Sequence, residues 1–205
     1  MSVAGFYRVC KDRSGEELVA LGYTFGSSRL DERMALQQTI VSDIKYAFLS
    51  GRRFGISRYG DGSWPVYYTA AEVQTAIHET AFHSRGEWMR AKRPSARRQT
   101  RKILYHVKIN STKGDTPPVV VDMLNPTDYS YCHAVAKRAR ASGFDFIDVP
   151  SVRYSGGMCR PVFTMSCIEP APGIEARFTI FWDQTTDELS HNADRTNREI
   201  NLWYK

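Results

Sequence analysis

Hydrophobic and polar positions along the chain recur with two periods. Ile103, Tyr105, Val107 and Ile109 alternate with Leu104, His106 and Lys108, the two-residue period of a half-buried strand. GFYRV near the start alternates in the same way. After a polar stretch through Gly22 to Ser28, a helical period runs over residues 31–50, with Ile40, Ile44, Ala47 and Phe48 recurring at its spacing and Gly51 placed as a left-handed cap. The turn-prone Gly60, Asp61 and Gly62 precede a short aromatic strand over 64–69. That strand feeds directly into a helix over 72–82, which sets Val73, Ala76, Ile77 and Thr80 on one face.

Beyond residue 110, the pattern predicts a strand over 119–123 after Pro117 and Pro118. A helix over 129–142 follows, containing Ala134, Val135, Arg138 and Ala139 and ending at Gly143. Strands are expected over 144–149, 161–168 and 176–182, with 199–204 closing an edge. Short strands interleaved with few helices imply an α+β chain with a small, curved or split β-sheet and flanking helices.

The 205 residues, 42% of them hydrophobic, can bury one sizeable core, so a single domain over 1–205 is expected. Its chemistry-bearing motifs lie in about 53–168 and its C-terminal strands in 169–205. No apolar run of roughly 18 residues is present, and Met1 to Arg8 lack the pattern of a secretory signal. A cytoplasmic protein without membrane association follows as an expectation. Cys10, Cys132, Cys159 and Cys167 form no Cys-x-x-Cys pair and read as structural thiols of a reducing compartment, a disulfide or a reactive thiol being the alternative.

The formal charge of +6 raises the question of polyanions. Between residues 85 and 102, Arg85, Arg90, Lys92, Arg93, Arg97, Arg98, Arg101 and Lys102 meet one acid, Glu87, and Pro94 interrupts the run. The stretch reads as an exposed connection carrying a short helix. Three roles stay open: a solvated loop, a docking surface for an acidic protein, or contact with RNA or DNA. Trp88 alone is a thin stacking platform, and no known nucleic-acid motif surrounds it, so direct nucleic-acid binding is not expected.

His78-Glu79 followed by His83 superficially matches the HExxH zinc signature, whose histidines must lie four apart to share a helix face. Here they are five apart, which turns the second imidazole by roughly 140° and leaves Phe82 where the ligand belongs. No metal is expected. Glu79 and His83, four apart, can face one cleft.

Four motifs, SRYGDGSWPVYYTA, TAIHETAFH, ASGFDFIDVPSVR and SGG, together bring a cation, an aromatic face, a carboxylate and a hydroxyl. In this order they resemble the RES domain, a family named for a shared arginine, glutamate and serine. The resemblance implies an ADP-ribosyltransferase-like fold and a toxin of a bacterial toxin–antitoxin pair. Such a toxin consumes NAD as substrate by hydrolysis or phosphorolysis, or transfers ADP-ribose to a protein. It also implies a cognate antitoxin of helix-turn-helix type, through which any nucleic-acid contact would come; a secreted antibacterial effector with an immunity protein fits the same motifs. Carried over by position, the family arginine falls on Arg58, the tyrosine on Tyr68, the glutamate on Glu79 and the serine on Ser151. The helix before Arg58 and the basic stretch after Glu79 read as insertions relative to compact members.

The chemistry asks for these residue types. An arginine on a glycine turn approaches a pyrophosphate closely, which gives Arg58 an anchoring role; the plain alternative is a surface arginine. Tyr68 offers a ring to pack on nicotinamide, with Tyr67 as its rival on the opposite strand face. Loss of nicotinamide leaves an oxocarbenium-like ribose, and a carboxylate facing it, Glu79, stabilises the transition state more than the substrate. Ser151 is expected to hydrogen-bond the nicotinamide amide or a phosphate, or else simply to stabilise its turn. Arg153 beside the Gly156-Gly157 turn is a candidate second anion contact.

Overall fold

In a computed structural model, the described residues are 5–11, 29–49, 54–91, 97–193 and 200–202. The chain runs β1 (Gly5–Lys11), α1 (Arg29–Leu49), β2 (Tyr67–Ala70), α2 (Val73–Arg90), β3 (Arg97–Ile109) and β4 (Gly114–Asp115). It continues through a 3-10 turn (Val121–Leu124), α3 (Ser130–Ala141), β5 (Phe146–Ile147), β6 (Val149–Pro150) and β7 (Met158–Val162). A second 3-10 turn (Met165–Cys167), β8 (Ile168–Asp183), β9 (Glu188–Ala193) and β10 (Ile200–Leu202) follow. The α+β class expected from the interleaving is the one observed. Among the described residues, ten strands join one sheet in the order β10-β9-β8-β3-β1-β2-β7-β5-β4, with β6 paired to β7.

Alternation in β3 decides which core each residue enters. Ile103, Tyr105, Val107 and Ile109 pack with Ile40 and Ile44 of α1 on one sheet face. Leu104 packs on the other face with Ile77 and Ala81 of α2 and with Phe178, Ile180 and Trp182 of β8. Each large apolar side chain so buried contributes ~2 kcal/mol. A third cluster lies under α3, where Cys132, Val135, Ala136 and Ala139 meet Tyr59, Trp64, Ile147, Val149 and Phe163. Ala134 and Arg138, grouped with that helix's periodic positions, are on its exposed side. Gly143 ends α3 at φ +79, and the next amide, on Phe144, returns 3.1 Å to the carbonyl of Ala139.

Three expectations are corrected. The strand expected over 161–168 ends with β7 at Val162, and Met165–Cys167 form a 3-10 turn. The 119–123 segment is a 3-10 turn within its second half rather than a strand. The carbonyls of Met123 and of Asn125, just beyond the turn, accept hydrogen bonds from Arg58. The basic stretch is mostly regular structure: Arg85 and Arg90 belong to α2, and Arg97 to Lys102 begin β3. Residues 92–96, with Lys92, Arg93 and Pro94, lie outside the described residues, as do Gly22 to Ser28 and the Gly51 cap. Helix α2 runs on to Arg90 because its second half has tertiary partners. Arg85 pairs with Asp187, and Trp88 stacks on Trp182 at 6.2 Å between ring centroids. Trp88 is therefore engaged inside the fold.

The sheet is narrow where β1 meets β2. Strands β1 and β2 share a single paired position, Tyr7 with Ala70. Arg8 bridges the gap beyond it, donating from one guanidinium nitrogen to the Tyr68 carbonyl at 2.9 Å and from Nε to Asp43 of α1 at 3.0 Å. Asp43 also accepts the Tyr105 hydroxyl at 2.8 Å. The small or split sheet expected from the sequence is instead one ten-stranded sheet among the described residues, and the candidate site lies beside this short β1–β2 pairing.

Candidate active site

Strand β2 supplies the first wall of the site. Tyr67 points into the core, where its hydroxyl meets that of Tyr105 at 2.6 Å. Tyr68 therefore faces the other way. Its oxygen accepts from the Tyr59 amide at 2.8 Å and donates to Ser57 Oγ at 2.9 Å. Burial pushes the phenol well above its ordinary range, so the ring is neutral and held at its tip. Between the rival tyrosines, the structure gives Tyr68 to the cavity and Tyr67 to the core.

Arg58 sits on the turn closed by mutual backbone hydrogen bonds between Ser57 and Gly60. One terminal nitrogen donates to the carbonyls of Met123 at 3.0 Å and Asn125 at 2.7 Å, and the guanidinium lies 4.6 Å above the Tyr129 ring. The other terminal nitrogen is buried without a hydrogen-bond partner among the described residues. A buried donor left open costs about 1–3 kcal/mol, which an anionic acceptor within its reach would remove.

Glu79 projects from α2. Its Oε1 accepts the Ser151 hydroxyl at 2.7 Å and lies 3.7 Å from Cys159 Sγ. Among the described residues no hydrogen bond engages Oε2. Ser151 is held in turn by a tight loop: its Oγ accepts the amides of Arg153 at 3.1 Å and Tyr154 at 3.0 Å, and its own amide reaches the Gly157 carbonyl at 2.8 Å. The SGG motif has a steric reason. A Cβ on Gly157 would stand 2.2 Å from Thr75 Oγ1 in the first turn of α2, so only glycine lets the loop lie against that helix.

These groups surround a cavity of about 520 Å³, within the usual range of small-molecule sites. Arg58, Tyr68, Glu79 and Arg153 line it together. Ser151 stands behind Glu79 and is not among the lining residues, its hydroxyl committed to the carboxylate. The guanidinium of Arg153 lies 3.4 Å from the Phe82 ring centre, with His83 and Arg90 of the same helix further along the wall. His78, by contrast, is buried against Tyr154, away from the His83 side. No group of three metal-ligating side chains is present among the described residues.

Three neighbours escaped sequence reasoning. Tyr129 follows Asp128 in a segment with no motif, and only its place beneath Arg58 marks it. Arg8 was visible as a lone charge inside an apolar strand. Cys159 comes two residues after the SGG turn, a closeness that was the only available signal.

Residues 33–181 match the RES domain family. The chain belongs to that family. Among solved structures, this RES chain is similar to the crystal structure of the M. tuberculosis MbcT–MbcA toxin–antitoxin complex, at 17% identity and a TM-score of 0.48, over 84% of this chain and 81% of that one. No curated protein matches it. Among the described residues of this RES chain, no helix is long and apolar enough to cross a membrane.

Proposed function

We propose that the protein cleaves the bond between nicotinamide and ribose in NAD and acts as the toxin of a toxin–antitoxin pair. The observation that carries the reading is that Arg58 and Glu79 line one cavity together, the guanidinium with a terminal nitrogen and the carboxylate with an oxygen that no hydrogen bond engages among the described residues. The first suits a pyrophosphate oxygen, and the second suits ribose hydroxyls next to a developing positive charge. Membership of the RES domain family supports the same substrate.

The step balances simply. The bond from C1′ to the pyridinium nitrogen breaks, and its electron pair neutralises the leaving nicotinamide. The ribose takes up positive charge at C1′, which the Glu79 carboxylate offsets. Water or phosphate then adds at C1′ and loses its proton to give ADP-ribose or its 1-phosphate. Arg58 anchors the dinucleotide, Tyr68 packs on the nicotinamide, Arg153 is a second anion contact and Ser151 holds Glu79. An enzyme that drains a central cofactor harms the cell that makes it, so a neutralising antitoxin belongs to this reading.

The test is NAD consumption by the purified protein beside Arg58→Ala and Glu79→Ala, with folding of each variant checked by circular dichroism. Loss of a positioned catalytic charge predicts a fall of at least about 100-fold in turnover for Glu79→Ala. Product masses with and without phosphate separate hydrolysis from phosphorolysis. Label passing from NAD to a protein in lysate, in place of free products, would instead mark a transferase. Equal turnover by all three proteins refutes the assignment.

A further inference from the structure

Cys159 has no part in the reaction as described, yet its thiol lines the cavity and touches the group placed at its centre. It lies on β7, opposite Ala70 of β2 and Val149 of β6, and is buried. Its Sγ is 3.7 Å from Glu79 Oε1, the same oxygen that accepts the Ser151 hydroxyl at 2.7 Å. Two donors from two different strands and loops therefore converge on one carboxylate oxygen. None of the four cysteines is in a disulfide.

Two donors on one oxygen do more than one. The Ser151 hydroxyl alone leaves the carboxylate free to swing about that bond. A second donor from another direction fixes the plane of the carboxylate and decides which oxygen is offered to the cavity. We propose that Cys159 is a positioning residue for Glu79: together with Ser151 it pins Oε1, so that Oε2 is the oxygen presented to the ribose hydroxyls. This rests on the NAD-cleaving reading for the identity of the ligand, but the contact itself does not.

The contact has a second consequence. Burial pushes the Cys159 thiol well above its ordinary range, and the adjacent Glu79 charge pushes it further, so the group stays protonated and acts as a donor. A serine oxygen, on a shorter bond to Cβ, would fall outside hydrogen-bond reach of Oε1, so Cys159→Ser is expected to behave like Cys159→Ala.

Two measurements test the proposal. In the first, the protein and its Glu79→Gln variant are treated with methyl methanethiosulfonate, and labelling of each cysteine is followed by mass spectrometry. Removing the charge makes the thiolate easier to form and is expected to speed labelling of Cys159 by about tenfold, while Cys10, Cys132 and Cys167 keep their rates. Unchanged Cys159 labelling in the variant, or none in either protein, overturns the contact. In the second, Cys159→Ala is expected to lower kcat about tenfold with KM within about twofold, and to change nothing further in a Glu79→Ala background, because two residues acting as one unit do not add. A merely structural role would lower the activity of both backgrounds and overturn the proposal. So would full kcat in Cys159→Ala. A parent protein inert toward NAD whose Cys159 still responds to Glu79→Gln would refute the reaction while supporting the contact.

Discussion

Replacing Gly157 with alanine is expected to damage both stability and turnover, because the loop that holds Ser151 rests directly on α2. The new Cβ would stand 2.2 Å from Thr75 Oγ1, 2.9 Å from Tyr154 Cδ1 and 3.2 Å from Thr75 Cβ. The first of these is more than 1 Å short of van der Waals contact, so the loop or the helix turn must move. Overpacking of this kind costs about 1–3 kcal/mol, and tilting the loop strains the Ser151 bond to Glu79, a charge-assisted hydrogen bond of about 1.5–3 kcal/mol. Taken together, a loss of about 2–4 kcal/mol corresponds to roughly 5–12 °C in Tm for a chain of this size. Differential scanning fluorimetry reads the stability and NAD consumption reads the site. Thr75→Ala provides the internal control. By itself it loses the Thr75 hydroxyl's 2.6 Å bond to Glu72, a cost of about 1 kcal/mol. Combined with Gly157→Ala it removes the atom at 2.2 Å, so the double variant is expected to be more stable than the sum of the two singles. Strict additivity, or a Gly157→Ala protein with parental Tm and turnover, would refute the steric account of the SGG turn.

Tyr68→Phe keeps the ring but deletes its bonds to Tyr59 and Ser57, so a KM rise under about tenfold is expected, against a far larger loss for Tyr68→Ala, both read by steady-state kinetics. Arg58→Lys cannot serve two carbonyls and a ligand from one planar group, and a drop in kcat/KM of about 100-fold is expected in the same assay. Asp43→Asn leaves the Arg8 guanidinium facing a neutral partner beside the short β1–β2 pairing, and chemical denaturation should show a loss of about 3 kcal/mol. Stability should also fall on mild acidification. Burial holds His78 and His191 below the usual 6.5, so below that pH the unfolded chain binds protons that the folded chain does not, and folding weakens. Asp187, held low by its Arg85 bond, acts only near and below 3.8. A Tm that is flat from about pH 7.5 to about pH 5.5 would contradict the histidine account.

Local period revealed most of the fold. The alternation from Ile103 to Ile109 is strong because its two faces meet two different helices, and the pattern at 129–142 was legible because Gly143 provides a left-handed stop. Failures came where tertiary partners override composition. Arg85 and Trp88 look like parts of a solvated connection until Asp187 and Trp182, about a hundred residues later, are seen to hold them in a helix. Residues 121–124 contain valine and leucine, yet form a 3-10 turn beside Arg58. The site's membership was largely readable from motif order. Its wiring was not: nothing in VPSVR says that the serine faces a carboxylate 72 residues earlier rather than the cavity.

That wiring explains how half-committed side chains make a site. Among the described residues, Arg58 uses one terminal nitrogen on the protein and has no hydrogen bond at the other, Tyr68 is tied at its hydroxyl and lines the cavity, and Glu79 is held at Oε1 with Oε2 unengaged. In each case the bonded half fixes the orientation of the free half, so little reorganisation is left for the moment of reaction. A fully free arginine or glutamate in the same cavity would first have to be ordered, at a cost of about 0.5–1.5 kcal/mol for each side chain immobilised. Loosening the supporting partner should therefore resemble weakening the functional residue itself. On this reasoning Ser151→Ala, which touches no cavity surface, should lower kcat more than it raises KM, and a variant that altered only KM would place Ser151 on the ligand instead of on Glu79.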